Sequence, residues 1–310
     1  MGQPHRTGYD TAITVGIPVY NEERTLTPCL DAVVRAATRL RDAEIIVCFN
    51  GTTDNGREIA RGFAQRHGNI RVIEVPKGKA RAVKAIGDAA HGDIVVFTDG
   101  DAVIHKDALQ HMIQPFADEA VVAVTGRPVP WPSKGWCHNI INARMIHPDA
   151  EIALTPINGI RQKPFIHGRL FALRRKIFHS ELDGFEDALG DDTFLTLHVL
   201  TKYGRDALRC ATDAHTSYMP VQSVRSWWRK WSRIWNELDT LYLERPEFAR
   251  LKPMMRTKID WHYVRRRGAV VTACFLLERL LHTAGRAAYD VTRPLRTVSW
   301  IRLEDTKVVP

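Results

Sequence analysis

Two carboxylates stand one residue apart in the segment TDGD, where Asp99 and Asp101 flank Gly100. They directly follow the apolar run 95–97, which indicates that they lie at the end of a buried strand. Two acids this close raise each other's pKa unless a cation binds beside them. Carboxylate oxygens are the ligands that Mg²⁺ and Mn²⁺ prefer, and the glycine lets the backbone approach a ligand closely. The segment therefore predicts a divalent-metal site, with Mg²⁺ or Mn²⁺ as the cofactor.

A three-residue pattern of this kind also occurs by chance, as a solvated turn or a helix N-cap. Its place immediately after a hydrophobic strand favours the ligand site.

A second acid pair, Asp191 and Asp192, begins a segment of helical period. Acids at a first helical turn often cap the helix, and a partly desolvated carboxylate can also act as a general base.

The first 127 residues contain the elements that must position these acids. Apolar, β-branched runs alternate there with segments of helical period, which predicts an α/β fold with a mostly parallel, twisted sheet flanked by helices. Strands are predicted at 12–19, 44–49, 70–75, 93–98 and 120–126. Helices are predicted at 22–40, 54–68, 79–92 and from about 106.

The carboxyl ends of parallel strands meet at one edge of the sheet, where ligands bind in such folds. The segments that follow the first, second and fourth predicted strands bring polar side chains to this edge. These are Tyr20, Glu22, Asn50, Asp54, Asp99 and Asp101. A bound cation with few protein ligands would relieve the repulsion among the acids and keep coordination positions open for phosphate oxygens.

The alternation of strand-like and helix-like segments stops in residues 128–165, which contain six prolines. We predict a long loop or insertion there, with one helix near 136–146. A strand is predicted at 165–175, a helix at about 191–203, and a mainly helical region after Gln222. The predicted division is therefore a ligand-binding half at 1–127, a second half of the same domain at 128–221, and a basic, Trp-rich helical region at 222–310.

The formal net charge of +9 lies in the last of these segments. Residues 222–310 contain 18 Lys and Arg against 9 Asp and Glu, whereas residues 1–221 contain 26 of each. This imbalance indicates either an anionic partner or a solvated helical surface. The series Trp227, Trp228, Trp231 and Trp235 is typical of a packing face. Contact with a membrane surface and the lining of an acceptor groove are the alternatives. Nucleic acid is not an expected partner.

The five cysteines show no metal-ligand or disulfide spacing, which predicts reduced thiols. No signal peptide is visible, and the longest nearly uncharged apolar run, 268–277, has roughly half the length of a membrane span. We therefore expect a cytoplasmic protein, peripheral at most at the inner face of a membrane.

Three segments in this order resemble glycosyltransferase family 2, which has the GT-A fold: ITVGIPVYNEE, EIIVCFNGTTD and KGKARAVKAIGDAAHGDIVVFTDGD. The resemblance continues in HGRLFALRRKIF, GFED and GDDTFLTLHVLTKYG, and covers about residues 12–235. It implies an inverting, metal-dependent transfer of a sugar from a nucleotide-diphosphate sugar, with a UDP-sugar expected first, to an acceptor hydroxyl. The helical C-terminal region would be an appendage to this fold.

The resemblance also implies roles for individual residues. Asp101 would be the main metal ligand, Asp99 would lie near ribose and metal, and Asp192 would be the general base. The implied donor-binding residues are Pro18, Tyr20, Glu22, Asn50, Lys79, Asp99, Gly100 and Asp101. Residues expected near the acceptor are Asp191, Gly168, Arg169 and Trp131.

Two departures from the family pattern limit what the resemblance implies. The family often has DDGSTD where this chain has Phe49 and Asn50, so the base of the nucleotide stays open. The QxxRW motif of processive members is degenerate here, at 230–234, which favours a non-processive enzyme. A nucleotidyltransferase on a related sheet and a weakly active member that binds anionic surfaces are the alternatives. The acceptor, the sugar and the oligomeric state are not predicted.

Overall fold

The computed structural model describes residues 12–132, 134–153, 165–292 and 306–307. Its ten strands are β1 Ile13–Val19, β2 Glu44–Asn50, β3 Ile70–Val75, β4 Ile94–Thr98, β5 Ala102–Ile104, β6 Ala123–Pro130, β7 Glu151–Ala153, β8 Leu170–Arg174, β9 Leu208–Tyr218 and β10 Thr257–Ile259.

The α-helices are α1 Leu26–Ala37, α2 Gly56–Arg66, α3 Lys79–Ala89, α4 Ala108–Ile113, α5 Trp136–Ile141, α6 Ala143–Ile146, α7 Lys176–Ser180, α8 Asp191–Tyr203, α9 Val224–Glu244, α10 Pro246–Ala249, α11 Trp261–Arg266 and α12 Ala269–Thr292. Short 3₁₀ helices lie at Gln114–Ala117, Pro148–Ala150, Phe185–Asp187 and Arg205–Ala207.

Eight strands form one sheet in the order β3-β2-β1-β4-β8-β6-β9-β5. The first four are parallel to one another, so their carboxyl ends share an edge. β8 lies antiparallel between β4 and β6, while β6 and β9 are parallel and β5 runs antiparallel to β9. The predicted α/β class with a mostly parallel sheet and a helical C-terminal region is confirmed.

Different helices cover the two faces of the sheet, which explains why its central strands β1 and β4 are mostly apolar. Along β4, Val96 packs with residues of α1, α2 and α4, whereas its neighbour Phe97 packs with residues of α3, α7 and α8. Phe97 stacks on Phe171 of β8 with ring centroids 4.8 Å apart. Burial on both faces fixes the register of β4 and therefore the position of the acids that follow it.

The C-terminal helices pack through aromatic side chains. Trp227 and Trp235 of α9 are buried, and the Trp235 ring lies 5.6 Å from the ring of Tyr289 in α12. A side chain at Gly285 would meet both indoles at 3.1–3.2 Å, so the glycine permits the close approach of α12 to α9. These contacts favour the packing interpretation of the tryptophan series.

The outer surface of α12 exposes apolar side chains, among them Leu276, Leu277 and Leu280, close in sequence to the exposed basic run 265–267. Among the helices of the described ranges, none combines the length and the apolar character that crossing a membrane requires. Peripheral contact with an anionic membrane stays a prediction.

Several parts of the chain differ from the sequence-based expectation, including the short strands β7 and β10, which were not predicted. β5 and β9 were not predicted, because polar residues alternate along β9 and only some of its residues are buried. β6 begins three residues later than predicted, at Ala123, and continues to Pro130. The helix predicted near 136–146 is divided at Asn142, whose side-chain amide donates to the Val221 carbonyl at 2.8 Å. An amide that bonds to a backbone carbonyl in this way competes with regular helix geometry.

Candidate active site

A cavity of about 400 Å³ opens at the edge of the sheet where β1, β2 and β4 end. All eight predicted donor-binding residues line it: Pro18, Tyr20, Glu22, Asn50, Lys79, Asp99, Gly100 and Asp101. Gly168, Arg169, Asp191 and Asp192 line it as well. Topology explains this convergence, because α3 and α8 begin at the same edge at which the parallel strands end.

Two acids on one side of the cavity share a cation. The Lys307 ammonium lies 2.5 Å from Glu22 Oε1 and 2.6 Å from Asp101 Oδ2. Burial raises the pKa of Glu22 to about 7, although Lys307 opposes this effect. Burial also disfavours the ionised form of Asp101, but Lys307 and Arg169 outweigh it and lower the pKa of Asp101. Asp101 is therefore an ionised carboxylate at neutral pH.

The convergence of two carboxylates on one ammonium shows that a cation fits between them. Carboxylate oxygens are also suitable ligands for Mg²⁺ or Mn²⁺, so the residues present fit a divalent metal. Within the described ranges, no group of three or more His, Cys, Asp or Glu residues could hold a metal by itself. A metal bound at Asp101 and Glu22 would therefore need other oxygen ligands, which a diphosphate and water can supply.

Lys79, the first residue of α3, connects the two acid pairs. Its ammonium lies 2.7 Å from Asp99 Oδ1 and 3.4 Å from Asp191 Oδ2. Burial disfavours the charged form of Lys79, but the two carboxylates outweigh it and raise the pKa of the ammonium. Burial raises the pKa values of Asp99 and Asp191, although Lys79 opposes this effect. Lys79 thus engages Asp99 and Asp191 as Lys307 engages Asp101 and Glu22.

Asp192 lies in the first turn of α8, where the helix dipole favours a negative charge. Its Oδ2 accepts a hydrogen bond of 3.2 Å from the Gly168 backbone N–H, and its Oδ1 accepts one of 3.3 Å from the Thr193 hydroxyl. A side chain at position 168 would lie 3.1 Å from Asp192 Oδ2, so glycine leaves this carboxylate room. Asp192 therefore presents a carboxylate to the cavity while Asp191 is buried against Lys79.

α9 closes the cavity beside α8 with residues that the sequence pattern did not single out. Glu237 is buried, and its Oε1 lies 3.3 Å from Arg233 Nε. Burial raises the pKa of Glu237 to about 8, with the acids of α8 adding to the effect. Arg233 belongs to the degenerate QxxRW segment and to the basic residues interleaved with the tryptophan series, whereas Glu237 carries no sequence signal at all.

The Asn50 side chain is fixed by the backbone. Its amide N–H donates to the Val19 carbonyl at 2.9 Å, and its carbonyl oxygen accepts from the Gly78 N–H at 3.4 Å. Both halves of the amide thus tie the ends of β1 and β2 to the start of α3. Phe49, at the position of the family's first acid, is buried in the core. The predicted contact of Asn50 with a base stays a prediction.

Further basic residues border the cavity. The Lys77 ammonium lies 4.8 Å from the centre of the Tyr20 ring, and the Arg169 guanidinium lies 3.8 Å from the centre of the Tyr218 ring. Arg81 forms an ion pair of 2.6 Å with Asp187 at the rim. Positive side chains close to a carboxylate-rich cavity are suited to an anionic ligand that is held together with a cation.

Trp131 was predicted near the acceptor, and that contact stays a prediction. Trp131 does not line the cavity in the described part of the chain. Its backbone N–H donates to the Tyr218 carbonyl at 2.9 Å, which makes Trp131 an extension of β6 beside β9. This backbone contact keeps Trp131 at the strand end, outside the set of residues that surround the cavity.

Comparison with known proteins gives one family. Residues 14–181 match the family model described as Glycosyl transferase family 2. The probable glycosyltransferase YdaM of Bacillus subtilis (strain 168) is 27% identical in an alignment of 241 positions that covers 71% of this chain and 54% of that protein. The uncharacterized glycosyltransferase EpsJ of the same organism is 33% identical over 103 residues, which are 33% of this chain and 29% of that protein. The chain thus spans less than two thirds of the length of these curated relatives.

Among solved structures, the mannosyltransferase PcManGT from Pyrobaculum calidifontis, in complex with GDP-Man and Mn²⁺, is similar with a TM-score of 0.58. The two chains share 21% sequence identity, and the match covers 94% of this chain and 77% of that one. At this identity the likeness concerns the fold, which is of the GT-A type.

Proposed function

Because the chain belongs to glycosyltransferase family 2, we propose that it transfers a sugar from a nucleotide-diphosphate sugar to an acceptor hydroxyl. One observation carries the proposal: a single cavity gathers Asp101, Lys79 and Asp192 at the carboxyl ends of the parallel strands. These residues provide a place for a metal, a cation for phosphate oxygens and a carboxylate that can accept a proton.

The donor half of the proposed site is the side formed by β1, β2 and β4. The nucleotide would lie between Pro18, Tyr20 and Asn50, with its diphosphate directed towards Asp101. A divalent metal at Asp101 and Glu22 would neutralise the charge that develops on the leaving diphosphate. Lys79 carries a positive charge on the same side and would add to this stabilisation. A UDP-sugar is the donor we expect first.

The acceptor half is the side formed by α8 and the segment before β8. The Asp192 carboxylate would take the proton of the acceptor hydroxyl as that oxygen attacks the anomeric carbon. Attack from the face opposite the diphosphate breaks the bond between the anomeric carbon and the diphosphate oxygen and inverts the configuration at carbon. The Gly168 N–H and the Thr193 hydroxyl hold the Asp192 carboxylate in one orientation, which lowers the cost of alignment.

A thermal-shift screen of nucleotide sugars tests the donor proposal. We expect one UDP-sugar to raise the Tm in the presence of Mn²⁺ but not in EDTA, because a metal held by Asp101 and Glu22 would offset the negative charge of the diphosphate. A ligand at about 100 times its Kd stabilises the folded state by about 2.7 kcal/mol, which raises Tm by several degrees.

GDP-, ADP- and dTDP-sugars serve as matched controls for the base, and free UDP as a control for the sugar. A shift with a GDP-sugar alone would overturn the UDP proposal and keep the reaction class. No shift with any nucleotide sugar, at concentrations up to several millimolar, would contradict the proposed function.

A further inference from the structure

The position of Lys307 is not accounted for by the proposed reaction. Its ammonium lies within 2.6 Å of both Asp101 and Glu22, the two carboxylates that suit a metal. The Lys307 side chain is only 13% exposed, and Thr306 beside it is buried and lines the same cavity. In the sequence, Lys307 is 206 residues from Asp101 and 285 residues from Glu22.

Both contacts join an ammonium to a carboxylate within hydrogen-bonding distance, and such charge-assisted hydrogen bonds are the stronger class. The Lys307 ammonium therefore occupies the place between the carboxylates that a divalent cation would take. Two cations cannot share that place, since steric overlap and charge repulsion both oppose it. Metal binding and the Lys307 contact are thus mutually exclusive at Asp101.

We propose that Lys307 is a built-in competitor of the divalent metal, so that the Lys307 ammonium must leave Asp101 and Glu22 before metal and donor bind. The inference rests on the proposed metal site at Asp101. When the binding-competent state is only partly populated, the apparent affinity for a ligand falls by the fraction of molecules in that state. Linkage then requires the reverse effect as well: bound metal releases Lys307.

Titration with Mn²⁺ alone, followed by the electron paramagnetic resonance signal of free Mn²⁺, tests the competition without any turnover. We expect Lys307→Met to bind Mn²⁺ roughly tenfold or more tightly than the wild type, because the variant has no ammonium to displace. Lys134→Met is the matched control, since Lys134 is exposed and does not line the cavity. It removes the same charge and should leave the Kd within about twofold of the wild type.

An equal Kd for the wild type and Lys307→Met would overturn the proposal. A tenfold gain that Lys134→Met shares would also overturn it, because the effect would then be one of net charge. The double variant Lys307→Met/Asp101→Asn tests separately whether the metal binds at Asp101 and whether Lys307 competes with it there. If this variant no longer binds Mn²⁺, the tighter binding of Lys307→Met depends on Asp101. If it still binds Mn²⁺ as tightly as Lys307→Met does, Lys307 and the metal do not compete at Asp101. Absence of Mn²⁺ binding in all four proteins, both without nucleotide and with a saturating nucleoside diphosphate, overturns the metal site itself.

Chemical labelling gives a second test that needs no variant. Reductive methylation, read by mass spectrometry of the Lys307 peptide, measures how often this ammonium is accessible. We expect Lys307 to react slowly in the metal-free protein and several times faster at saturating Mn²⁺, while the rate for Lys134 stays unchanged. A Lys307 rate that does not respond to Mn²⁺, in a protein that binds the metal, contradicts the release step.

Discussion

Replacement of Asp192 by Asn is expected to lower the rate of sugar transfer by about a thousandfold while leaving the donor Kd within about twofold, since a positioned general base typically contributes 10²–10⁴ in rate. The amide keeps the size of the carboxylate and can still accept from the Gly168 N–H. It cannot take a proton from the acceptor hydroxyl. The measurements are turnover at saturating substrates and donor binding by calorimetry, both with Mn²⁺.

Asp187→Asn is the matched control for this variant. Asp187 also lines the cavity, but its side chain is 78% exposed and paired with Arg81 at the rim. We expect this control to stay within about threefold of wild-type turnover, because it removes an acid from the rim and leaves Asp192 in place. Wild-type turnover in Asp192→Asn would show that another group accepts the proton.

Replacement of Asp101 by Asn is expected to weaken donor binding in Mn²⁺ by about a hundredfold or more and to abolish turnover. Asp101 is the acid whose pKa is lowered, and it is therefore ionised at neutral pH. The neutral amide is a poorer ligand for a hard cation, so the bridge between protein and diphosphate would be lost. Isothermal titration of the donor into the variant measures the effect.

Removal of the metal from the wild type provides the control for Asp101→Asn. In EDTA the wild type should bind the donor as weakly as the variant does in Mn²⁺, and adding EDTA to the variant should change little. Both results are expected if Asp101 contributes to donor binding only by holding the metal. Unchanged donor binding in EDTA would contradict the metal role, and a further loss in the variant would assign Asp101 a direct contact with the donor.

Most residues on the side of the cavity formed by β1, β2 and β4 could be predicted from the sequence because they follow strands directly, and the family resemblance added Pro18 and Lys79. Asp99 and Asp101 are fixed by the register of β4, and Lys79 is the first residue of a helix that follows a strand. The order of parallel strands then brings these segments to one edge. Short-range sequence patterns are therefore sufficient to identify most of the residues on this side of the cavity. All eight predicted donor-binding residues line it.

The parts that could not be predicted depend on long-range packing. Lys307 reaches Asp101 across 206 residues, and nothing in its local sequence indicates this contact. Glu237 enters the site because α9 packs beside α8. Asn50 occupies a predicted position, yet its amide is engaged by the backbone of neighbouring segments. Trp131 was chosen for its residue type, whereas a backbone hydrogen bond decides its place.

The central claim is that the enzyme transfers a sugar from a nucleotide-diphosphate sugar with inversion and with Asp192 as the base. Hydrolysis of the donor, in which water replaces the acceptor, tests this claim most directly. The wild type is incubated with Mn²⁺ and the nucleotide sugar identified by thermal shift, and the products are followed by ¹H NMR and nucleotide chromatography. The proposed reaction predicts a nucleoside diphosphate and a sugar that first appears with the anomeric configuration opposite to that of the donor, with neither formed by Asp192→Asn. A nucleoside monophosphate or a sugar of retained configuration would contradict it.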